Sequence, residues 1–172
     1  MPELKTDMID NILNEFLAEF DCTAAMGSDF CYWPSKNLIN YSVIAATKDS
    51  DYFMENWHNL TPEMKIDPFL AALFHEVGHC MSEDELTTEE ELYSIDRRNQ
   101  IATNLHRLSA EDKEKERQYY YEYFSLPEEA LATNWAITYI HTHQQKISVF
   151  WQKLQAAIME FYKVNNIEME AI

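Results

Sequence analysis

The sequence predicts an α+β fold, mainly α, in which a small β-hairpin precedes a buried helix and several helices follow it. Three observations carry that expectation. Apolar side chains recur at helical spacing in several windows. Two short runs, 29–33 and 38–44, are rich in aromatic and β-branched residues and are split by the turn-forming Pro34-Ser35-Lys36-Asn37. The stretch from Pro68 to Met81 is apolar nearly all round, as a central, buried helix should be.

Taken in order, Met8, Ile9, Ile12, Leu13, Phe16, Leu17 and Phe20 form one stripe of a helix over about residues 4–20. The hairpin 29–44 follows. Residues 51–60 read as a short helix with Tyr52, Phe53 and Trp57 turned inward. Asp67 is placed to cap the next helix, with Pro68 in its first turn. Residues 82–91 are acidic and hold no aromatic, which reads as a loop near the cleft. Thr88 with Glu91 makes a capping box that opens a helix towards Leu108, and Ser109 begins another that ends in the aromatic run 119–124. Ser125 with Glu128, and Pro127 between them, opens the helix after that. The last helix, 146–164, carries Ile147, Phe150, Trp151, Leu154, Ile158 and Phe161 on one face. No internal repeat or linker interrupts the chain.

Residues 1–172 are expected to form a single domain, since that length gives one real core but not two. Hydrophobic residues make up 47%, which excludes a disordered chain. The formal net charge of −17 argues against direct nucleic-acid binding, because phosphates would be repelled. No apolar run approaches membrane-spanning length and no signal peptide is evident, so no membrane association is expected. Cys22, Cys31 and Cys80 are odd in number and unpaired in pattern, which suits reduced thiols in the cytoplasm.

The chemistry concentrates in His75-Glu76-Val77-Gly78-His79. Residues four apart on a helix share a face, so both imidazoles can grip one metal ion. Glu76 is then placed as the general base for a water that the metal polarises. This is the HExxH arrangement of zinc metallopeptidases. The plainer alternative is two core histidines bonded to backbone and a glutamate facing solvent. Against it stands Gly78, one of only two glycines in the chain. Mid-helix it costs about 1 kcal/mol relative to Ala, but it lets a neighbouring element approach closely. Cys80 adjoins His79, yet a rotation of about 100° per residue turns it away from the histidine face.

A third ligand must come from elsewhere. Ser82 and Glu85 stand where one extended motif needs Gly and His, and only Asn99 and Gln100 lie about twenty residues past His79. His106 sits in what reads as an ordinary amphipathic helix. Glu129 is the better choice, because Ala132, Thr133 and Ala136 form a stripe of small side chains beside it that would let its helix lie against another. From Glu128 the corresponding stripe includes the bulkier Leu131 and Trp135, so Glu128 is left as the cap. Thr133, one turn on, is placed to hydrogen-bond a ligand. Taken alone, both glutamates could simply favour the positive helix N-terminus.

Together, the two segments resemble the ImmA/IrrE-like metallopeptidases, on the gluzincin side of the zincins. In that family a second motif reads Glu-x-x-Ala-Asn-x-Phe-Ala; here Glu129, Ala132, Trp135 and Ala136 follow it, and Thr133 departs from it. The resemblance covers about thirty positions. It implies a zincin-like domain holding one Zn²⁺ through His75, His79 and Glu129, with Glu76 as base. It also implies a protein or peptide substrate, of which regulator or repressor proteins are family examples. Two His and one Glu leave a fourth position for water, as catalytic zinc sites do. A hydrogen-bond donor for the developing oxyanion is expected from Tyr119, Tyr120, Tyr121 or Tyr123, while His141 and His143 lie too far along the helix. The competing function is an acidic binding or inhibitory module of phage or mobile-element type, with a structural or vestigial metal site.

Overall fold

The computed structural model describes residues 6–43, 48–109, 111–165 and 167. It is mainly helical, with one three-stranded mixed sheet. The chain divides into two compact units, 1–45 with 139–172, and 46–138.

The first unit begins with α1 (Asp7–Leu17), whose buried side chains are Ile9, Leu13 and Leu17. Met8 belongs to the predicted stripe by spacing but is 53% exposed. Strands β1 (Thr23–Met26), β2 (Cys31–Trp33) and β3 (Leu38–Tyr41) form a sheet in the order β1-β3-β2. The predicted hairpin is β2 and β3, antiparallel, with Cys31 opposite Asn40. Its turn is a short 3-10 segment closed by Asn37 at φ 45°, a left-handed conformation that Asn tolerates. Strand β1 pairs parallel with β3 and was not expected. Asn14 anchors it to α1, its side-chain oxygen accepting from Ala24 N at 2.7 Å and its amide donating to Ala24 O at 3.2 Å. Helix α7 (Gln144–Val164) buries Ile147, Phe150, Leu154, Ala157 and Phe161 and packs on α1, where Phe150 stacks on Phe16 at 4.0 Å.

The second unit contains α2 (Lys48–Leu60), α3 (Pro68–Ser82), α4 (Thr88–Arg107), α5 (Lys113–Phe124) and α6 (Pro127–Thr142) as far as Thr138. Helix α2 packs on α3 and α5, and α4 packs on α5. Trp57 of α2 is fully buried, as the periodicity requires. The acidic stretch after α3 is shorter as a loop than expected: a 3-10 turn occupies Glu83–Glu85 and α4 starts at Thr88. Its capping box is Thr87 with Glu90, one residue earlier than predicted. The box predicted for Ser125 and Glu128 does not form. The Ser125 hydroxyl instead donates back to Tyr121 O at 2.7 Å, and Glu128 pairs with Arg98 of α4. No helix among the described residues is long and apolar enough to cross a membrane.

Candidate metal centre

Helix α3 starts where the sequence places it. Asp67 accepts from Phe69 N at 2.9 Å, and Pro68 occupies the first turn without wasting a backbone donor. Leu70, Leu73, Phe74 and Val77 are then buried, which fixes the helix rotation and carries His75 inward with them. His75 is 5% exposed. Phe53 of α2 closes on it edge-to-face at 5.3 Å, and Phe124 of α5 stands 5.8 Å behind Phe53. A largely apolar wall therefore surrounds this imidazole.

Helix α6 brings the third side chain. Its small residues Ala132, Thr133 and Ala136 are buried to within 1% of complete. A Cβ added to Gly78 would fall 2.8 Å from the Cα of Ala132 and closer still to its carbonyl oxygen. No real side chain accepts that overlap. Glycine in α3 and alanine in α6 thus let two backbones meet, and the contact sets Glu129, one turn before Thr133, against the histidines. Glu129 is 3% exposed.

The resulting geometry is tight. His75 Nε2 lies 3.0 Å from Glu129 Oε2 and 3.1 Å from His79 Nε2, and His79 Nε2 lies 3.4 Å from the same carboxylate oxygen. On the other edge of the ring, His75 Nδ1 is 3.0 Å from Thr133 Oγ1. When Nδ1 carries the proton and donates it to Thr133, the Nε2 lone pair faces the cluster. With His79 Nε2 also unprotonated, two lone pairs and a carboxylate converge on one point, an arrangement that a cation would satisfy. A tetrahedral ion with bonds of about 2.0–2.1 Å would hold its ligand atoms about 3.3 Å apart, close to the three observed separations. The donors His75, His79 and Glu129 could therefore hold a metal ion. Cys80 is not part of this group.

Without a metal the same atoms hydrogen-bond to one another. Burial disfavours a charged Glu129, but hydrogen bonds and charge from His75 and His79 prevail and hold its carboxyl far below the ordinary 4.5. Burial also works against protonated His79, yet the hydrogen bond and charge of Glu129, with the charge of Glu76, lift its pKa above 6.5. Glu76 is half-buried beside the cluster, and its charge is felt at both His79 and Tyr123.

Of the four tyrosines that the sequence could not separate, Tyr123 is the one at the centre. Burial, then the charge of Glu129 and a hydrogen bond to it, keep its phenol protonated. Tyr120 instead stacks on Tyr52 at 4.6 Å, and Tyr121 accepts from Asn59 at 3.1 Å. Nothing in the run of aromatics distinguishes them; what does is the tertiary position that sets Tyr123 beside Glu129. Glu128 points to Arg98 rather than to the histidines. His143 closes α6, its ring stacked on Tyr139 at 4.1 Å with Nδ1 3.0 Å from Tyr139 O, which is the helix-end role its position suggests. No family model matches this chain, and neither the curated proteins nor the solved structures contain a match to it.

Proposed function

We infer that this chain is a zinc-dependent peptidase that hydrolyses peptide bonds in a protein substrate. The observation that carries the reading is the buried His75–His79–Glu129 cluster, whose atoms already stand at the separations of a tetrahedral site, with Glu76 next to it. The donor set of two imidazoles and one carboxylate is that of a catalytic zinc site. Bound zinc would supply a Lewis acid that activates water and polarises a carbonyl.

The chain's own residues do the rest. His75 and His79 would hold the ion with Glu129, and Thr133, 3.0 Å from His75 Nδ1, would hold that ring in the tautomer that leaves its other nitrogen free. Glu129 contributes one carboxylate oxygen from a site that water barely reaches. Glu76, more exposed than His75, takes the proton from the attacking water and returns it to the departing amine. The Tyr123 phenol, kept neutral and hydrogen-bonded to Glu129, would turn its one proton from that carboxylate to the oxygen on which negative charge develops. The three cysteines are free thiols, which fits a cytoplasmic setting.

Metal analysis of the purified protein tests the reading. About one zinc per chain is expected, lost in His75→Ala, His79→Ala and Glu129→Ala. Glu76→Gln should retain the metal, and comparing protein fragments in cells that make wild type or Glu76→Gln should reveal products of the wild type alone. Identical fragment patterns would remove the peptidase reading and leave a metal-holding acidic binding module.

A further inference from the structure

Helix α4 is largely exposed. Only Ser94 and Ile101 of its 20 residues are buried. Its first half nevertheless carries three large apolar side chains within four positions, Leu92 at 63% exposure, Tyr93 at 56% and Ile95 at 53%. Leu92 and Ile95 are three apart and so adjacent on the helix surface, Leu92 opposite the buried Ser94 and Ile101 and Ile95 about 100° round from Ser94. Single exposed apolar residues are ordinary, but a cluster on one helix marks a surface that something covers.

The charge around this cluster says what would cover it. Glu91 lies one turn from Ile95, Glu89 lies one turn from Leu92 and Tyr93, and the 3-10 turn Glu83–Glu85 leads into the helix. Glu90 is occupied in the capping box. None of Glu83, Asp84, Glu85, Glu89 or Glu91 has a basic partner among the described residues. The two arginines of this part of α4 are turned inward, Arg97 to Glu122 of α5 and Arg98 to Glu128 of α6. The outward face is therefore apolar along its middle and anionic at its edges.

We propose that this face, centred on Leu92 and Ile95, edged by Glu89 and Glu91 and preceded in the chain by the acidic turn Glu83–Glu85, docks a basic amphipathic segment of the protein substrate. A second copy of the chain is a poor occupant, because the same carboxylates would oppose one another across the contact. Nucleic acid and anionic lipid surfaces are repelled for the same reason. A segment with Leu-like side chains on one face and Lys or Arg at its margins satisfies both parts of the surface. The location suits recruitment: Glu83 follows His79 by four residues, so the docking face begins one short turn beyond the metal helix. The word substrate rests on the peptidase reading; the docking does not.

The test uses the full chain and a fluorescent Leu/Lys peptide of about 18 residues, five turns of amphipathic helix. A Leu/Glu peptide of the same apolar pattern is the control. Anisotropy titrations are made on metal-free protein, so that docking is read without cleavage. Wild type should bind the Leu/Lys peptide and not the Leu/Glu peptide. Leu92→Ser with Ile95→Ser should weaken binding about tenfold, as loss of a central apolar contact does. Glu89→Gln with Glu91→Gln should weaken it as well and flatten its salt dependence. Both double variants change exposed positions, and circular dichroism verifies that they fold. No binding by wild type, equal binding of the two peptides, or unchanged binding by the Leu92/Ile95 variant would each overturn the proposal. With zinc restored, zinc-dependent cleavage without docking sinks only this inference, whereas docking without cleavage sinks only the peptidase reading.

Discussion

Thr133 Oγ1 and His75 Nδ1 lie 3.0 Å apart, so one turn of α6 supplies both the carboxylate that meets His75 Nε2 and the hydroxyl that holds the ring from its other side. A hydroxyl in this place accepts the Nδ1 proton but carries no charge, so it orients the imidazole without adding to its basicity as a carboxylate would. Thr133→Val keeps the shape and removes the acceptor. Zinc affinity should fall about 10–100-fold, with the helices intact by circular dichroism. Chelator competition measures it, and an unchanged dissociation constant would show that Thr133 only fills space.

Gly78→Ala tests the meeting of α3 and α6. Helix propensity alone favours the change by about 1 kcal/mol. The new Cβ, however, would meet Ala132 backbone, which cannot swing aside as a long side chain can. The overlap should win, with a net loss of about 1–3 kcal/mol in urea unfolding and a zinc affinity at least about tenfold weaker, because the helices part and carry Glu129 away from the histidines. A stabilised variant with full affinity would mean that the close approach is not what builds the site.

How much of this was readable beforehand follows from how local each cause is. His75 and His79 share a face because both sit on one helix, and the small stripe Ala132–Thr133–Ala136 announced a helix contact before any partner was known. Strand β1 stayed hidden because Thr23-Ala24-Ala25-Met26 has weak strand preference; pairing with β3 and the Asn14 anchor make it a strand. The box at Ser125 failed for a similar reason. Its glutamate finds Arg98, thirty residues upstream, a partner no local pattern displays. In Thr87-Thr88-Glu89-Glu90-Glu91 two registers of the same box compete, and spacing alone cannot choose. Tyr123 is separated from its three neighbours only by tertiary position.

The protonation of the cluster gives opposite pH slopes with and without metal. His79 has its pKa raised by Glu129 and Glu76 against the effect of burial, so its contribution to metal-free stability is complete below 6.5 and is lost as pH rises through the raised value. Glu129 has its pKa depressed, so its contribution is present above 4.5 and is lost only as pH falls through that low value. The metal-free protein is therefore helped most between 4.5 and 6.5 by this pair. Zinc must displace the His79 proton, so its affinity rises with pH, by up to about tenfold per unit while His79 is protonated. Thermal scans from about pH 6 to about pH 8 should show the zinc-induced rise in Tm growing. A rise that is constant across this range would mean that no proton leaves on binding.

Glu76 and Tyr123 both border the metal donors, but the peptidase reading gives them separable duties. Glu76 moves a proton, so Glu76→Gln, which preserves size and hydrogen bonding, should keep zinc and lose essentially all turnover. Tyr123, on the same reading, moves no proton and donates a hydrogen bond to developing charge. Tyr123→Phe should therefore lower kcat about 10²–10³-fold, leave KM nearly unchanged and retain one zinc, because the interaction it removes exists chiefly in the transition state. Should the phenol instead serve to fix Glu129, to which it is hydrogen-bonded, the same variant would lose zinc affinity, and excess zinc would restore its rate. Kinetics at limiting and saturating zinc separate the two, and full recovery at saturation would move Tyr123 from the reacting oxygen to the support of a ligand.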